Sequence, residues 1–133
     1  MTIVGFNMNS IKADVTDRVV KGDLDIGSIP TITGVEKKSV LEIDVLAISF
    51  KFETKYEPGI AIISMEGELL YKTDDTKKVL KKWKDDKQLP DDAAVEVLNI
   101  IFRRCLTKAV ELSEDVGLPP PLSFPLVRTK EKE

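Results

Sequence analysis

The sequence predicts an α+β protein in which an antiparallel sheet is followed by a short helix and one long C-terminal amphipathic helix. Through most of residues 1–73, apolar and polar residues alternate at the period of a strand. From residue 74 to residue 117 the apolar period lengthens to that of a helix. We therefore expect one domain over residues 1–133, closed by a Pro-rich apolar tail and a frayed end in residues 118–133.

The first strand segment changes its parity part-way along. Residues 10–17 place their apolar side chains at odd positions, whereas residues 3–8 include apolar residues at even positions. An extra residue in one strand shifts the alternation by one, so the change predicts a β-bulge near Met8 and Asn9.

The second strand segment, residues 23–35, contains three residues that disfavour a regular strand. These residues are Gly27, Pro30 and Gly34. Proline cannot donate a hydrogen bond to a neighbouring strand and belongs at an edge or a bend. We expect this segment to be broken or to cross over.

The third strand, residues 41–53, is the clearest, but its apolar residues are odd up to Val45 and even from Leu46. Either a bulge corrects the register, or each half of the strand buries a different face. The second alternative needs another surface, such as a second subunit. Pro58 and Gly59 predict a tight reversal, so the strand that follows in residues 60–72 is expected to be antiparallel.

Two helices follow the last strand. Thr73, Asp74 and Asp75 offer capping oxygens for the first, which Leu89-Pro90 ends. The second is expected over residues 91–117, with a buried stripe formed by Ala94, Leu98, Ile101, Cys105, Ala109, Leu112 and Val116. The stripe is widened by Val97, Phe102, Leu106 and Val110. Such a width can serve a sheet on one flank and a partner helix on the other.

Composition restricts the partners and the compartment. The net charge of −3 and the isoelectric point near 5.1 argue against nucleic acid as the main partner. No apolar run is long enough to cross a bilayer, and the start of the chain does not have the pattern of a secretory signal, so we expect a cytoplasmic protein without a membrane partner. Abundant charge with one Gln and three Asn favours a thermophilic, archaeal source.

The residues that carry most enzyme chemistry are scarce. The sequence contains no histidine, which excludes Ser-His and Cys-His nucleophile pairs and imidazole metal sites. Cys105 lies on the apolar stripe and is expected in the core. Glu66 and Glu68 share one strand face, where a solvated surface competes with an acid/base dyad. We expect no enzyme, no catalytic residue, no metal and no cofactor.

Surplus hydrophobicity points to an interaction surface instead. Residues 45–52 and 60–63 are apolar on both strand faces, as expected of a sheet that is covered on both sides. One long helix covers one face, so the other is expected to meet a second subunit or a client. The competing interpretation is that the short helix and the apolar tail cover it. The lysines of residues 77–87 are interpreted as a solvated helix face.

Two segments resemble the SecB export chaperones and their archaeal and stand-alone relatives. Residues 98–107 read LNIIFRRCLT, and residues 117–125 read GLPPPLSFP. The first is similar to the apolar, Arg- and Cys-containing opening of the final long helix in SecB proteins, and the second to their closing Pro- and Leu-rich segment. Residues 41–52 look like the central strand of that family. The patch that bacterial members offer to the SecA motor has no residue-by-residue match here.

The resemblance implies a four-stranded antiparallel sheet and assembly into a homo-oligomer, either a dimer or a tetramer. It also implies a chaperone that holds unfolded polypeptides in apolar grooves and is linked to protein export. The expected polypeptide-binding residues are Ile48, Phe50, Phe52 and Phe102, and for each taken singly core packing is the competing interpretation. The alternative function is a non-enzymatic adaptor that binds one specific partner. A carboxylate-based enzyme would instead place Glu66 and Glu68 together in a cleft.

Overall fold

A computed structural model of the chain describes residues 2–18 and 22–122. Four strands form one antiparallel sheet: β1 (Thr2–Val15), β2 (Asp25–Val40), β3 (Ile43–Glu57) and β4 (Ala61–Lys72). Two helices follow, the short α1 (Thr76–Asp86) and the long α2 (Asp91–Asp115). The predicted α+β class and order of elements are confirmed.

The strand order is β1-β4-β3-β2, and each neighbouring pair is antiparallel. The connection from β1 to β2 therefore crosses from one edge of the sheet to the other, whereas β2, β3 and β4 follow one another as neighbours. β3 and β4 occupy the centre, which explains why these two strands supply about half of the buried core.

Irregularities lie in the two edge strands. The register of β1 with β4 shifts between Met8 and Ser10, which confirms the predicted bulge, and also between Ile3 and Gly5. The expectation that the second segment is broken is wrong, because β2 is a single strand with one register shift between Ile32 and Gly34. Pro30 is tolerated there because β2 has a hydrogen-bonded neighbour on one side only.

The two faces of the sheet differ. We call the side covered by α1 and α2 the helix face and the other side the open face. On β3 the helix face carries Leu46 and every second residue beyond it, all of which are buried. The register of β3 with β2 is unbroken through Val45 and Leu46, so the parity change is not a bulge.

The parity change instead arises because side chains on both faces of β3 are buried within one chain. Val45 and Ala47 lie on the open face and are each 2% exposed. Lys38 of β2 and Glu68 of β4 flank β3 and form an ion pair of 3.2 Å that spans this strand beside Ala47. The long side chains of neighbouring strands thus contribute to the cover, and these two residues do not require a second subunit.

The two hairpin turns have different chemistry. The turn after β3 contains Pro58 and Gly59, as predicted, and Gly59 has a φ of 58° that glycine adopts without strain. The turn between β2 and β3 places Leu41 and Glu42 at φ values of 50° and 66°. Leu41 therefore lies in a turn, not in the strand that the sequence predicted, and its side chain is 91% exposed.

α2 packs on the sheet through every fourth residue. Its buried residues are Ala93, Val97, Ile101, Cys105, Ala109 and Ser113. The predicted stripe is correct at its centre and is displaced at both ends, where Leu98 and Leu112 are half-buried instead. α1 covers the side of the same core that lies near β2, and its Val79 is 3% exposed.

The segment after α2 returns to the sheet. The Tyr56 hydroxyl donates a hydrogen bond of 2.6 Å to the Pro119 carbonyl oxygen. Arg18 donates to the Val116 carbonyl oxygen at 2.8 Å, and Leu118 is buried. These contacts hold the beginning of the predicted apolar tail against the core, while the rest of the tail and the expected frayed end, residues 123–133, lie outside the described residues.

Candidate polypeptide-binding surface

One side of α2 is apolar along most of its length. We call this side the apolar flank, and it consists of Val95, Leu98, Phe102, Leu106 and Val110. These residues follow one another at intervals of three or four, which places them on one line of a helix. Val95 is 61% exposed and Phe102 is 37% exposed, while the other three are half-buried.

The apolar flank is the side of α2 that faces β2. The Phe102 ring contacts the Phe52 ring of β3 edge to face, with centroids 5.8 Å apart. Pro30 of the edge strand β2 is the register partner of Phe52 and therefore lies on the same sheet face. The opposite side of α2 lies along β1, where Arg103 and Arg104 share a cavity with Phe6.

The four residues that the sequence predicted for polypeptide binding occupy two environments. Ile48, Phe50 and Phe52 are at most 1% exposed and lie beneath α2 in the core. Phe102 is the member of the set that reaches the surface, and it touches Phe52 directly. Polypeptide binding by these residues stays a prediction, with Phe102 as the accessible position and Phe52 as its support.

The dimensions of the apolar flank suit an extended chain. From Val95 to Val110 the helix rises about 22 Å at 1.5 Å per residue. An extended segment of about six or seven residues covers that length at 3.3 Å per residue. Every second side chain of such a segment would point towards α2, so three or four apolar side chains could be buried at once.

Val95 and Leu98 were not singled out as binding residues from the sequence. Val95 did not enter the predicted stripe, and Leu98 was assigned to the buried stripe itself. The signal was present, because positions 95, 98, 102, 106 and 110 form a second apolar line beside the buried one. Its exposure depends on how α2 is rotated over the sheet, which helical periodicity does not specify.

Cys105 and Tyr71 are buried groups with altered acidity. Burial raises the pKa of the Cys105 thiol to about 12, so the thiol is protonated at neutral pH and is a poor nucleophile. Burial first, and then the adjacent Glu96 carboxylate, raises the pKa of Tyr71 to about 12. The Tyr71 hydroxyl donates to Glu96 at 3.1 Å, and this hydrogen bond ties the beginning of α2 to β4.

The two carboxylates considered for a carboxylate-based enzyme are neighbours on one face of β4. Glu66 is exposed on the open face, and Glu68 on the same face is engaged by Lys38. This placement does not provide the shared cleft that the carboxylate-enzyme hypothesis requires. Within residues 2–18 and 22–122 there is no group of three or more candidate ligands for a metal ion, and no helix is long and apolar enough to span a membrane.

Comparison with solved structures places this geometry among known folds. The chain superposes on the SecB-like chaperone Rv1957 of Mycobacterium tuberculosis, in complex with a ChAD peptide from the antitoxin HigA1 (Rv1956), with a TM-score of 0.57. This chain has a SecB-like fold. The match covers 96% of this chain and 87% of that chain at 14% sequence identity. No protein-family model and no curated protein matches the sequence.

Proposed function

We propose that the protein is a SecB-like chaperone, a holdase that binds unfolded or non-native polypeptides at the apolar flank of α2. The observation that carries the proposal is the line of apolar side chains on α2, with Val95 61% and Phe102 37% exposed on a SecB-like fold. Exposed apolar lines of this kind mark surfaces that bind other chains.

In this proposal an extended client segment lies along α2 and buries its apolar side chains between the apolar flank and β2. Phe102 provides an exposed aromatic ring there, and Phe52 beneath it fixes the orientation of this ring. Ile48 and Phe50 contribute from the core by supporting the sheet under α2. Assembly into a dimer or tetramer, a link to protein export, a cytoplasmic location and a thermophilic archaeal origin belong to the same proposal.

A second candidate function is an adaptor that binds one specific partner. The observation that favours it is the structural neighbour, which is in complex with a peptide from one antitoxin. In this alternative the same apolar flank would recognise a single sequence, and selectivity would come from the spacing of Val95, Leu98 and Phe102.

An aggregation assay tests the holdase proposal. Light scattering of a heat-aggregating client is expected to fall when the protein is added at a few-fold molar excess, and the double variant V95S/F102S is expected to lose most of this protection. The control I29S replaces an exposed apolar residue on the open face of β2, away from α2, and is expected to protect like the original protein. Absence of protection at a few-fold excess would overturn the holdase proposal.

Capture of partners distinguishes the two candidate functions. Affinity purification followed by mass spectrometry is expected to recover many unrelated proteins with a holdase and one recurrent partner with an adaptor. Multi-angle light scattering measures the mass of the particle in solution and decides between a monomer, a dimer and a tetramer.

A further inference from the structure

The side of α2 opposite the apolar flank forms a cleft with β1. Arg103, Arg104 and Lys108 line a cavity of about 390 Å³ whose apolar part is formed by Phe6 and Met8. Arg103 also lines a second cavity of about 310 Å³, so the two cavities adjoin. We call the pair the arginine cleft.

Among the residues that the structure describes, neither arginine of this cleft is paired with an acidic side chain. In the part of the chain that the structure describes, no carboxylate oxygen lies within 4.0 Å of either guanidinium. The Arg104 guanidinium instead lies 5.2 Å from the centre of the Phe6 ring. Contact with a ring face leaves the in-plane N–H groups of a guanidinium directed outwards, where they fit a carboxylate in a bidentate manner.

The apolar part of the cleft is held rigidly. The Phe6 ring stacks on the buried Phe50 ring with centroids 5.0 Å apart, so its position is set by the core. Met8 lies next to it, and Ile3 and Ile100 line the second cavity. A ligand that fills both cavities would therefore bring apolar groups to the floor and acidic groups to the rim.

The ends of the cleft select the kind of ligand. Glu96 lines one end and Glu111 the other, and Glu111 is paired with Lys108 at 3.4 Å. The helix rises about 22 Å between these positions at 1.5 Å per residue, enough for about six or seven extended residues. A nucleic-acid backbone carries a phosphate on every nucleotide. The carboxylates at both ends of the cleft would repel these phosphates, and the apolar cavities would not bind them.

We propose that the arginine cleft binds an extended acidic polypeptide segment in which glutamate or aspartate alternates with apolar residues. The acidic groups pair with Arg103 and Arg104, and the apolar groups enter the cavities beside Phe6 and Ile100. This site does not depend on the proposed function at the apolar flank, because the two surfaces lie on opposite sides of α2 and share no residue.

Fluorescence anisotropy with a labelled octapeptide tests the site. The probe alternates glutamate with leucine and phenylalanine, and a second probe has glutamine at each glutamate position. The original protein is expected to bind the glutamate probe at least tenfold more tightly than the glutamine probe, and to lose this preference as salt is raised. The double variant R103Q/R104Q is expected to weaken binding of the glutamate probe at least tenfold.

The matched control is K81Q/K84Q, which removes two exposed positive charges from α1 and is expected to leave binding unchanged. R104K keeps the charge but not the planar fork, and is expected to recover only part of the affinity. Circular dichroism melting verifies that each variant is folded. Equal binding of both probes, an equal loss in the control, or tighter binding of an oligonucleotide than of the glutamate probe would each overturn the proposal.

Discussion

The Phe102 ring meets the Phe52 ring edge to face, with the ring planes at 85° and the centroids 5.8 Å apart. One member of this pair is fully buried and the other is 37% exposed. The contact therefore connects the core beneath α2 to the surface on which polypeptide binding is proposed, and the two rings should contribute very differently to stability and to binding.

Truncation of each ring separates these contributions. Phe52→Ala is expected to lower the free energy of unfolding by about 3–5 kcal/mol, because it leaves a cavity in a closely packed core. Phe102→Ala is expected to lower it by about 1 kcal/mol, the size of an aromatic edge contact, while weakening client binding. Urea unfolding measures both losses, and equal losses would show that Phe102 belongs to the core.

Tyr71 predicts a loss of stability at high pH. Its pKa is about 12 in the folded chain, raised first by burial and then by Glu96, against 10.0 for an unperturbed tyrosine. Between these values the unfolded chain has released the proton and the native chain still holds it, so raising the pH favours unfolding. The contribution of Tyr71 is constant below pH 10 and falls by up to about 1.4 kcal/mol per pH unit above it.

The variant Tyr71→Phe cannot release this proton. Between about pH 9 and pH 11 the original protein is expected to lose about 1 kcal/mol more unfolding free energy than Tyr71→Phe. All other side chains are the same in both proteins, so their effects cancel in the difference. Urea unfolding at the two pH values gives the result, and parallel losses would mean that Tyr71 ionises at an ordinary pH.

Gly67 lies on β4 between β1 and β3, at a position without room for a side chain. A Cβ there would collide with the Asn7 carbonyl oxygen and would lie 2.8 Å from Cζ of Phe50. Gly67→Ala is therefore expected to lower the free energy of unfolding by about 2–3 kcal/mol through overpacking. Gly34→Ala is the matched control, since the nearest atom to its Cβ would be 3.8 Å away on Ser49. Similar melting temperatures for the two variants would contradict this account.

The turn between β2 and β3 contains residues that suit it poorly. Leu41 and Glu42 both have positive φ, a combination for which two-residue hairpin turns favour Asn-Gly. The double variant L41N/E42G is expected to raise the free energy of unfolding by about 1 kcal/mol. Leu41→Ala keeps the unfavourable backbone and is expected to remain near the original value. A gain in Leu41→Ala equal to that of the double variant would assign the effect to the exposed leucine side chain.

The sequence predicts the features of this fold that depend on local periodicity. The parity change near Met8 located the β1 bulge, and Pro58 with Gly59 located the turn before β4. The same reasoning failed at Pro30, because the residues on either side of a proline do not reveal whether its strand lies at an edge. Edge position is set by strand order, and strand order is a property of the whole chain.

The candidate sites were predictable to a smaller extent. Phe102 was selected for polypeptide binding and reaches the surface, but Ile48, Phe50 and Phe52 were selected beside it although all three are buried. Their burial follows from the placement of the helix across the sheet. From the sequence, Arg104 was noted only as part of the segment that resembles SecB proteins. Its role in a cleft could not be predicted, because its contact with Phe6 joins positions far apart in the chain.

The strand order has a consequence for synthesis on the ribosome. Of the four strands, β1 leaves the ribosome before the others, yet its hydrogen-bonded neighbour β4 is the last to be made. Phe6 and Met8 therefore have neither a neighbouring strand nor α2 over them until most of the chain has emerged. Contacts between distant segments also slow folding. A protein proposed to protect unfolded chains thus exposes an apolar strand of its own while it is being made.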